Sequence, residues 1–313
     1  MTVQPIIDIK IDQSIVYDTT IRDCSSQPNH PPNHPTPIQN ATHPPTLSHF
    51  PPHLTLTITP PSSTSTTAST SPNTSPNILL LLHGLGDTSQ NLTTLARALN
   101  LPETTVLTLQ APTPLPFDLG GFHWGDDITF SPAGDLDMDA GFTRSTNTII
   151  KEVIIDTLLK KCGYRGRDIV VFGIGQGGMV GLEVARHFKN SSLQGEGKVD
   201  EEELGGVVSI GAPVGLSGKA PATASATGSG SGKSRTPVLI VAGKEDGGER
   251  STAVTAAGVR RTKEWFDFVE VSRYKRRGDG MPRNAEEMRP VMEFLARRLR
   301  SYKGVPEGSV ELS

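Results

Sequence analysis

Short apolar segments alternate with amphipathic ones along most of the chain. Six segments are predicted as strands, at 78–82, 105–110, 168–172, 206–211, 237–242 and 268–274. Residues 78–82 are continuously apolar, as in strands buried on both faces of a parallel sheet. Predicted helices separate the strands, at about 88–99, 139–162, 177–188, 251–267 and 284–300. This alternation predicts an α/β fold, with a mostly parallel central sheet and helices on both faces.

The first part of the chain has a different composition. Residues 24–77 contain no Asp, Glu, Lys or Arg but hold 13 prolines and five histidines. Such a segment buries too little apolar surface to offset chain entropy, so residues 1–50 are predicted to be a disordered tail and 60–77 a flexible segment. Between them, residues 54–59 alternate apolar and polar side chains, which predicts an antiparallel edge strand. The folded domain is expected over 51–303, with a second flexible segment at 215–235 and a tail at 304–313.

Composition narrows the function classes. The formal net charge of −3 gives no global field that would attract nucleic acid. Two cysteines far apart in sequence provide no disulfide framework, and no secretory or membrane-spanning apolar stretch is present, so a cytoplasmic protein without integral membrane association is expected. The five histidines between residues 24 and 77 lack the fixed geometry of a metal site, and no metal or cofactor is expected.

Ligands of parallel sheets sit beyond the carboxyl ends of the strands, and three segments of this chain fall there. His83-Gly-Leu-Gly-Asp87 follows the first apolar strand, and its glycines allow a tight turn in which the amide of Leu85 points into a cleft. The segment 173–178, Gly-Ile-Gly-Gln-Gly-Gly, has the strand–turn–helix form of a nucleophile elbow. The third segment, Gly243-Lys-Glu-Asp246, ends a buried strand with a carboxylate.

The elbow segment lacks the group that an elbow normally presents. Its central position is Gly175, where a nucleophilic enzyme has Ser, Cys or Asp. The same residues also spell G-x-G-x-x-G, the dinucleotide-binding fingerprint. That motif belongs in the first βαβ unit, with an acidic residue ending the next strand, and here it lies in mid-chain. The elbow interpretation is therefore preferred.

Together these segments resemble the phospholipase/carboxylesterase family, which includes the acyl-protein thioesterases. The resemblance covers about 78–300 and rests on LLHGLGDT at 81–88, the Ala111-Pro112 loop with Trp124, the G-x-G-Q-G-G elbow, and the segment 237–246. It implies the α/β-hydrolase fold, with the amides of Leu85 and Gln176 forming an oxyanion hole and Asp246 as the acid of a catalytic triad. The family's serine position is Gly175, and its histidine turn corresponds to 278–282, with Met281 as the approximate base position.

No histidine can serve as the base. The triad order in this fold is nucleophile, acid, base, and the last histidine of the chain is His187, before Asp246.

The loop 111–132 carries Phe117, Phe122 and Trp124, which, with His83, are expected to line the acyl pocket that the resemblance implies. An equally weighted interpretation is that the aromatic residues only pack the domain.

The expected function is a catalytically silent member of this family, with an acyl or other apolar ligand as its partner. One alternative is an active ester or thioester hydrolase that uses an unconventional nucleophile. Another is an interaction protein that uses the proline-rich tail and the C-terminal stretch 273–303, where ten lysines and arginines face four acids. The sequence identifies no protein partner.

Overall fold

The structure is a computed structural model that describes residues 42–61, 75–117, 119–128, 134, 139, 141–188, 203–216, 233–245 and 253–301. Its strands are β1 (Leu56–Thr59), β2 (Asn77–Leu82), β3 (Thr104–Leu109), β4 (Thr113–Pro114), β5 (Phe122–His123), β6 (Ile169–Ile174), β7 (Gly206–Ile210), β8 (Val238–Ala242) and β9 (Val269–Arg273). Its helices are α1 (Ser89–Leu99), α2 (Thr143–Thr148), α3 (Gln176–His187), α4 (Ala256–Trp265) and α5 (Ala285–Arg298), and a π-helical segment, Ile149–Leu159, extends α2.

The large sheet has the strand order β1-β3-β2-β6-β7-β8-β9. β1 is antiparallel to β3 at one edge, with Leu56 opposite Leu109, and the other neighbouring strands are parallel. β2 and β3 are buried along their whole lengths, because helices cover both faces of the sheet. The mostly parallel sheet and its antiparallel edge strand are confirmed.

Alternate residues of the strands supply two apolar cores. Leu80 and Leu82 of β2 point toward the π-helical segment, α3 and α4, whereas Leu79 and Leu81 point toward α1 and α5. This alternation is the period-2 geometry of a strand applied to a sheet that is apolar on both faces. Within the described part of the chain, no helix is both long and apolar enough to cross a bilayer.

The predicted tail boundary at residue 50 needs correction. Residues 42–50 pack against the domain, and Phe50 is only 6% exposed. The amide of His43 donates to the carbonyl of Cys162 over 2.8 Å, and the carbonyl of His49 accepts from the Thr157 hydroxyl over 3.3 Å. One aromatic anchor and a few backbone hydrogen bonds are enough to order a segment whose average composition is that of a disordered chain. Residues 1–41 lie outside the described residues.

The flexible segment predicted over 60–77 is also too long. Ser75 is 2% exposed, its carbonyl accepts from the Tyr164 hydroxyl over 2.8 Å, and Asn77 already belongs to β2. Residues 62–74 lie outside the described residues, as do 217–232 of the second predicted flexible segment and 302–313 of the predicted end of the domain and its tail.

The long helix predicted over 139–162 begins at Thr143. The carboxylate of Asp126 accepts from the amides of Thr143 and Arg144 over 2.7 and 2.8 Å, which satisfies two donors at the helix start. Beyond Thr148, the helix widens to i→i+5 hydrogen bonding, as in the 3.0 Å bond from the amide of Lys160 to the carbonyl of Ile155.

The packing of residues 42–50 gives a stability prediction. Phe50→Ala is expected to lower the free energy of unfolding by about 3 kcal/mol, because it removes a buried aromatic side chain and leaves a cavity. The matched control is Phe117→Ala, at a side chain that is 84% exposed, and is expected to stay within about 0.5 kcal/mol of the parent. Urea unfolding measures both. Equal values for the two variants would contradict the docking of this segment.

Candidate active site

The elbow is formed by the end of β6, Gly175 and the start of α3. Gly175 has φ 51° and ψ −117°, a conformation that costs a residue with a side chain about 1–3 kcal/mol. A Cβ on Gly173 would overlap the carbonyl of Gly177, and a Cβ on Gly177 would lie 2.5 Å from the carbonyl oxygen of His83. The glycines before and after the turn are therefore required by close backbone approach, as the sequence predicted.

The turn after β2 is organised by His83, which is fully buried. Its Nε2 accepts from the amide of Ala111 over 3.0 Å, so the proton resides on Nδ1 and is donated to the carbonyl of Gly84 over 2.7 Å. Burial lowers the pKa of His83, against smaller opposite effects of the Gly84 hydrogen bond and of Asp87. His83 is thus a neutral structural residue, and the expectation that it lines the acyl pocket is corrected because its side chain is fully buried.

The loop after β3 is fastened to this turn. The amide of Gly86 donates to the carbonyl of Phe122 over 2.9 Å, and the amide of Phe122 donates to the carbonyl of Asp87 over 3.1 Å. β4 and β5 form a short hairpin whose tip carries Phe117 and Leu119, which are 84% and 59% exposed. Phe122 is partly buried against the core. The loop thus has a fixed base and an exposed apolar tip.

Trp124 belongs to the fixed base of the loop. It is 1% exposed, its amide donates to Oε1 of Gln176 over 2.7 Å, and its indole Nε1 donates to the carbonyl of His83 over 2.8 Å. Its carbonyl accepts from the hydroxyl of Ser145 over 2.6 Å. This buried tryptophan connects the elbow, the turn after β2 and α2. The expectation that Trp124 lines an acyl pocket is corrected, because its burial and hydrogen bonds fit the alternative expectation that it packs the domain.

The two amides expected to form an oxyanion hole lie in neighbouring turns. Leu85 lies in the turn after β2, and Gln176 is the first residue of α3. A Cβ on Gly84 would lie 3.5 Å from the carbonyl oxygen of Ile174, which brings the turns side by side. Convergence of the Leu85 and Gln176 amides on one point stays a prediction.

A carboxylate that the sequence analysis did not single out closes the far side of this sheet edge. Asp279 accepts from the amide of Gly243 over 2.7 Å and from the amide of Ala253 over 2.6 Å. A Cβ on Gly211 would lie 2.6 Å from the Cβ of Asp279. Asp279 therefore links the segments that follow β7, β8 and β9. Its partners are 26 to 68 residues away in sequence, so no local pattern identifies them.

The turn expected to hold the base, 278–282, contains no histidine, lysine or arginine. Met281 is half-buried against the core that includes α5. The guanidinium of Arg276 donates to the carbonyls of Gly278 and Met281 over 3.0 and 2.9 Å and pairs with Glu287 over 2.9 Å. These contacts fix the turn without a base. Asp246, the expected triad acid, lies outside the described residues.

His123 is the last residue of β5 and directly precedes Trp124. It is 2% exposed, and its Nε2 has no hydrogen-bond partner among the described residues. Burial, followed by the charge of Arg144, lowers the pKa of His123, and Asp127 opposes this shift. His123 is therefore neutral near pH 7. No group of three or more His, Cys, Asp or Glu side chains in the described ranges is placed to hold a metal ion.

The parallel sheet and its strand–turn–helix elbow define an α/β-hydrolase fold. A model of the phospholipase/carboxylesterase family matches residues 67–295, and the chain belongs to that family. The crystal structures of Zea mays acyl-protein thioesterase 2 (TM-score 0.53, 21% identity, 79% of this chain and 99% of that one) and of esterase PE8 (TM-score 0.52, 17% identity, 79% and 99%) share the fold.

Two fungal proteins are related more closely in sequence. An uncharacterized hydrolase of Schizosaccharomyces pombe is 34% identical over 145 residues, which is 45% of this chain and 55% of that protein. An uncharacterized hydrolase of Mycosarcoma maydis is 37% identical over 136 residues, 43% of this chain and 48% of that protein. The matched segments thus span about half the length of these relatives.

The linking role of Asp279 can be measured. Asp279→Asn replaces one accepting oxygen by a donor NH2 group, so one of the two backbone amides loses its acceptor, and the free energy of unfolding is expected to fall by about 1–3 kcal/mol. Glu264→Gln, at an exposed position of α4, removes the same charge and is the matched control. Urea unfolding at pH 7 should separate the two variants. If Asp279→Asn left the free energy of unfolding unchanged, the carboxylate would not be what holds the three segments together.

Proposed function

We propose that this chain is a catalytically silent member of the carboxylesterase and thioesterase-like hydrolases. The observation that carries the proposal is the elbow itself, which keeps its backbone form around Gly175 but has no side chain there. The turn that would supply the base is a second support, since Met281 has no basic group and Asp279 is engaged by two backbone amides.

The size of the catalytic loss supports silence over weak activity. Removing the serine or the histidine of a serine-protease triad lowers turnover by about 10⁶-fold, since the two act as one unit. That factor corresponds to about 8 kcal/mol of transition-state stabilisation. An oxyanion hole without these groups retains only about 10³–10⁴-fold over water. A scaffold with this residual rate is better suited to binding than to turnover.

Assays of esterase and thioesterase activity test the proposal. The parent protein is expected to hydrolyse neither p-nitrophenyl octanoate nor a palmitoyl thioester above background, and a fluorophosphonate probe should not label it. Gly175→Ser alone should recover little, because its hydroxyl has no base. The double variant Gly175→Ser with Met281→His is expected to exceed both single variants if the oxyanion amides are in place.

Detectable hydrolysis by the parent protein would also be informative. Hydrolysis by the parent protein that a single substitution in the cleft abolishes would overturn the silent assignment and favour the rival function, an active hydrolase with an unconventional nucleophile. His123→Ala is the first substitution to make in that case, because its imidazole is buried and its Nε2 has no partner among the described residues. The next residue, Trp124, is hydrogen-bonded to Gln176 at the elbow.

An acyl or other apolar group is the ligand class that this scaffold favours. Phe117 and Leu119 project from a hairpin whose base is hydrogen-bonded to the turn after β2, so an apolar ligand at the sheet edge has an adjacent apolar surface. Covering a large apolar side chain contributes about 1.5–3 kcal/mol.

Calorimetric titration with palmitate tests this ligand class. The double variant Phe117→Ser with Leu119→Ser is expected to weaken binding by about tenfold or more. Leu216→Ser alters another leucine that is 77% exposed, in the segment after β7, and should leave affinity within about twofold. Absence of palmitate binding by the parent protein, or an equal loss in both variants, would remove the ligand proposal while leaving the activity result untouched.

A further inference from the structure

A groove of about 460 Å³ lies at the edge of the sheet opposite the elbow. Its walls come from the segments that enter β6, β7, β8 and β9 and from the end of α5. β6 has six residues, which at about 3.3 Å per residue separates the groove from the elbow by roughly 20 Å. The groove is therefore a separate site, and the inference drawn from it does not rest on the proposed function.

Arginines dominate the groove. Among the described residues, its lining has one carboxylate, Glu203, and five arginines, Arg167, Arg235, Arg297, Arg298 and Arg300. These arginines enter from three separate parts of the chain, spread over more than a hundred residues of sequence. A concave surface with this ratio of charges carries a local positive potential, even though the whole chain has a formal net charge of −3.

Nearby acids neutralise only part of this charge. Arg300 pairs with Asp168 over 2.9 Å, and Arg165 approaches the same carboxylate over 3.3 Å. Arg297 pairs with Glu270 over 2.7 Å, where both side chains are about half exposed. Arg235 and Arg298 form no ion pair among the described residues. These two guanidinium groups make the groove a place where an added anion lowers the electrostatic energy.

The hydrogen bonds of Glu203 reduce its capacity to neutralise the groove. One oxygen of Glu203 accepts from the hydroxyl of Ser234 over 2.9 Å and from the amide and hydroxyl of Thr236 over 2.9 and 2.8 Å. These bonds hold the carboxylate against the segment before β8. The guanidinium carbon of Arg298 lies 5.9 Å from the centroid of the Phe294 ring, and its Nε has no acceptor among the described residues.

We propose that this groove binds a ligand that carries clustered phosphate groups. Arginine guanidinium groups are planar forks that donate two parallel hydrogen bonds to a phosphate, and their hydration is weaker than that of lysine. The described residues of the lining include five arginines and no lysine. The volume lies in the range of small-molecule pockets, which suits a compact polyphosphorylated group. A nucleic acid backbone needs an extended basic surface, which the overall charge does not favour.

Titration of the full chain with inorganic tripolyphosphate tests the site. The double variant Arg235→Gln with Arg298→Gln removes two charges that form none of the ion pairs described above, and it is expected to weaken binding by about tenfold or more. Arg260→Gln with Arg289→Gln removes the same charge at exposed positions outside the groove and should change affinity by less than about threefold. Three acidic residues, at 200–202, directly precede Glu203 in sequence. Because the full chain is used, the measured affinity already includes any competition between these acids and the ligand for the arginines.

Two further variants separate the cause of a loss from general damage. Arg298→Lys keeps the charge but not the fork, so it should retain part of the affinity and show which property the ligand needs. Arg235→Gln alone changes an exposed side chain and should weaken binding without lowering the melting temperature. Binding should also weaken as salt concentration rises, because the contact is ionic.

A second arm distinguishes a soluble polyphosphate from a lipid headgroup. Phe268 lies on the groove lining and is 55% exposed, so it can enter a bilayer surface if the phosphates belong to a lipid. Flotation with vesicles of phosphatidylcholine and phosphatidylinositol bisphosphate should then depend on both the arginines and Phe268, whereas tripolyphosphate binding should not change in Phe268→Ser. No binding of either probe by the parent chain, or an equal loss in the groove and control variants, would overturn the proposal.

Discussion

The carboxyl edge of the sheet depends on a backbone contact that no side chain can enter. β6 and α3 approach so closely that a Cβ on Gly173 would overlap the carbonyl of Gly177, and a Cβ on Gly177 would overlap the end of β2. This contact fixes the direction of α3 and places Gln176 at its start. Gly175 is not needed for the contact, because its role is conformational. The elbow can therefore keep its shape without a nucleophile, and the absence of a side chain at φ 51° avoids a strain of about 1–3 kcal/mol.

Polar groups around the elbow bond mainly to one another. His83 uses both ring nitrogens within the turn and the loop after β3, and the side chain of Gln176 accepts from the amide of Trp124. On the far side, both oxygens of Asp279 are used by backbone amides. A satisfied network of this kind is rigid, because breaking one bond leaves a buried donor or acceptor unpaired at a cost of about 1–3 kcal/mol. The hydrogen bonds of this edge hold the turns together, which supports a structural role for these polar groups.

The sequence was informative where burial alone decides structure. Residues 78–82 predicted a strand because a strand covered on both faces needs apolar side chains at each position. Composition misjudged 42–50, where the single side chain of Phe50 and backbone hydrogen bonds outweigh the average character of the segment. The bonds that place His83 and Trp124 join residues 28 to 52 positions apart, so no local spacing could reveal them. The pairing of distant polar groups requires coordinates.

Whole-chain charge likewise says little about the amino edge of the sheet. Salt screens charges over about 8 Å at physiological ionic strength. The potential in the groove is therefore set by nearby groups such as Arg235 and Arg298 and not by the net charge of −3. The residues at the two edges of the sheet also differ in their effect on folding stability. Gly175 relaxes the fold, whereas arginines gathered in one groove repel each other and lower stability unless acids or a ligand compensate. Relief of backbone strain at Gly175 and the gathering of Arg235 and Arg298 in one groove are the two observations that support the proposals of a silent elbow and of binding at the amino edge.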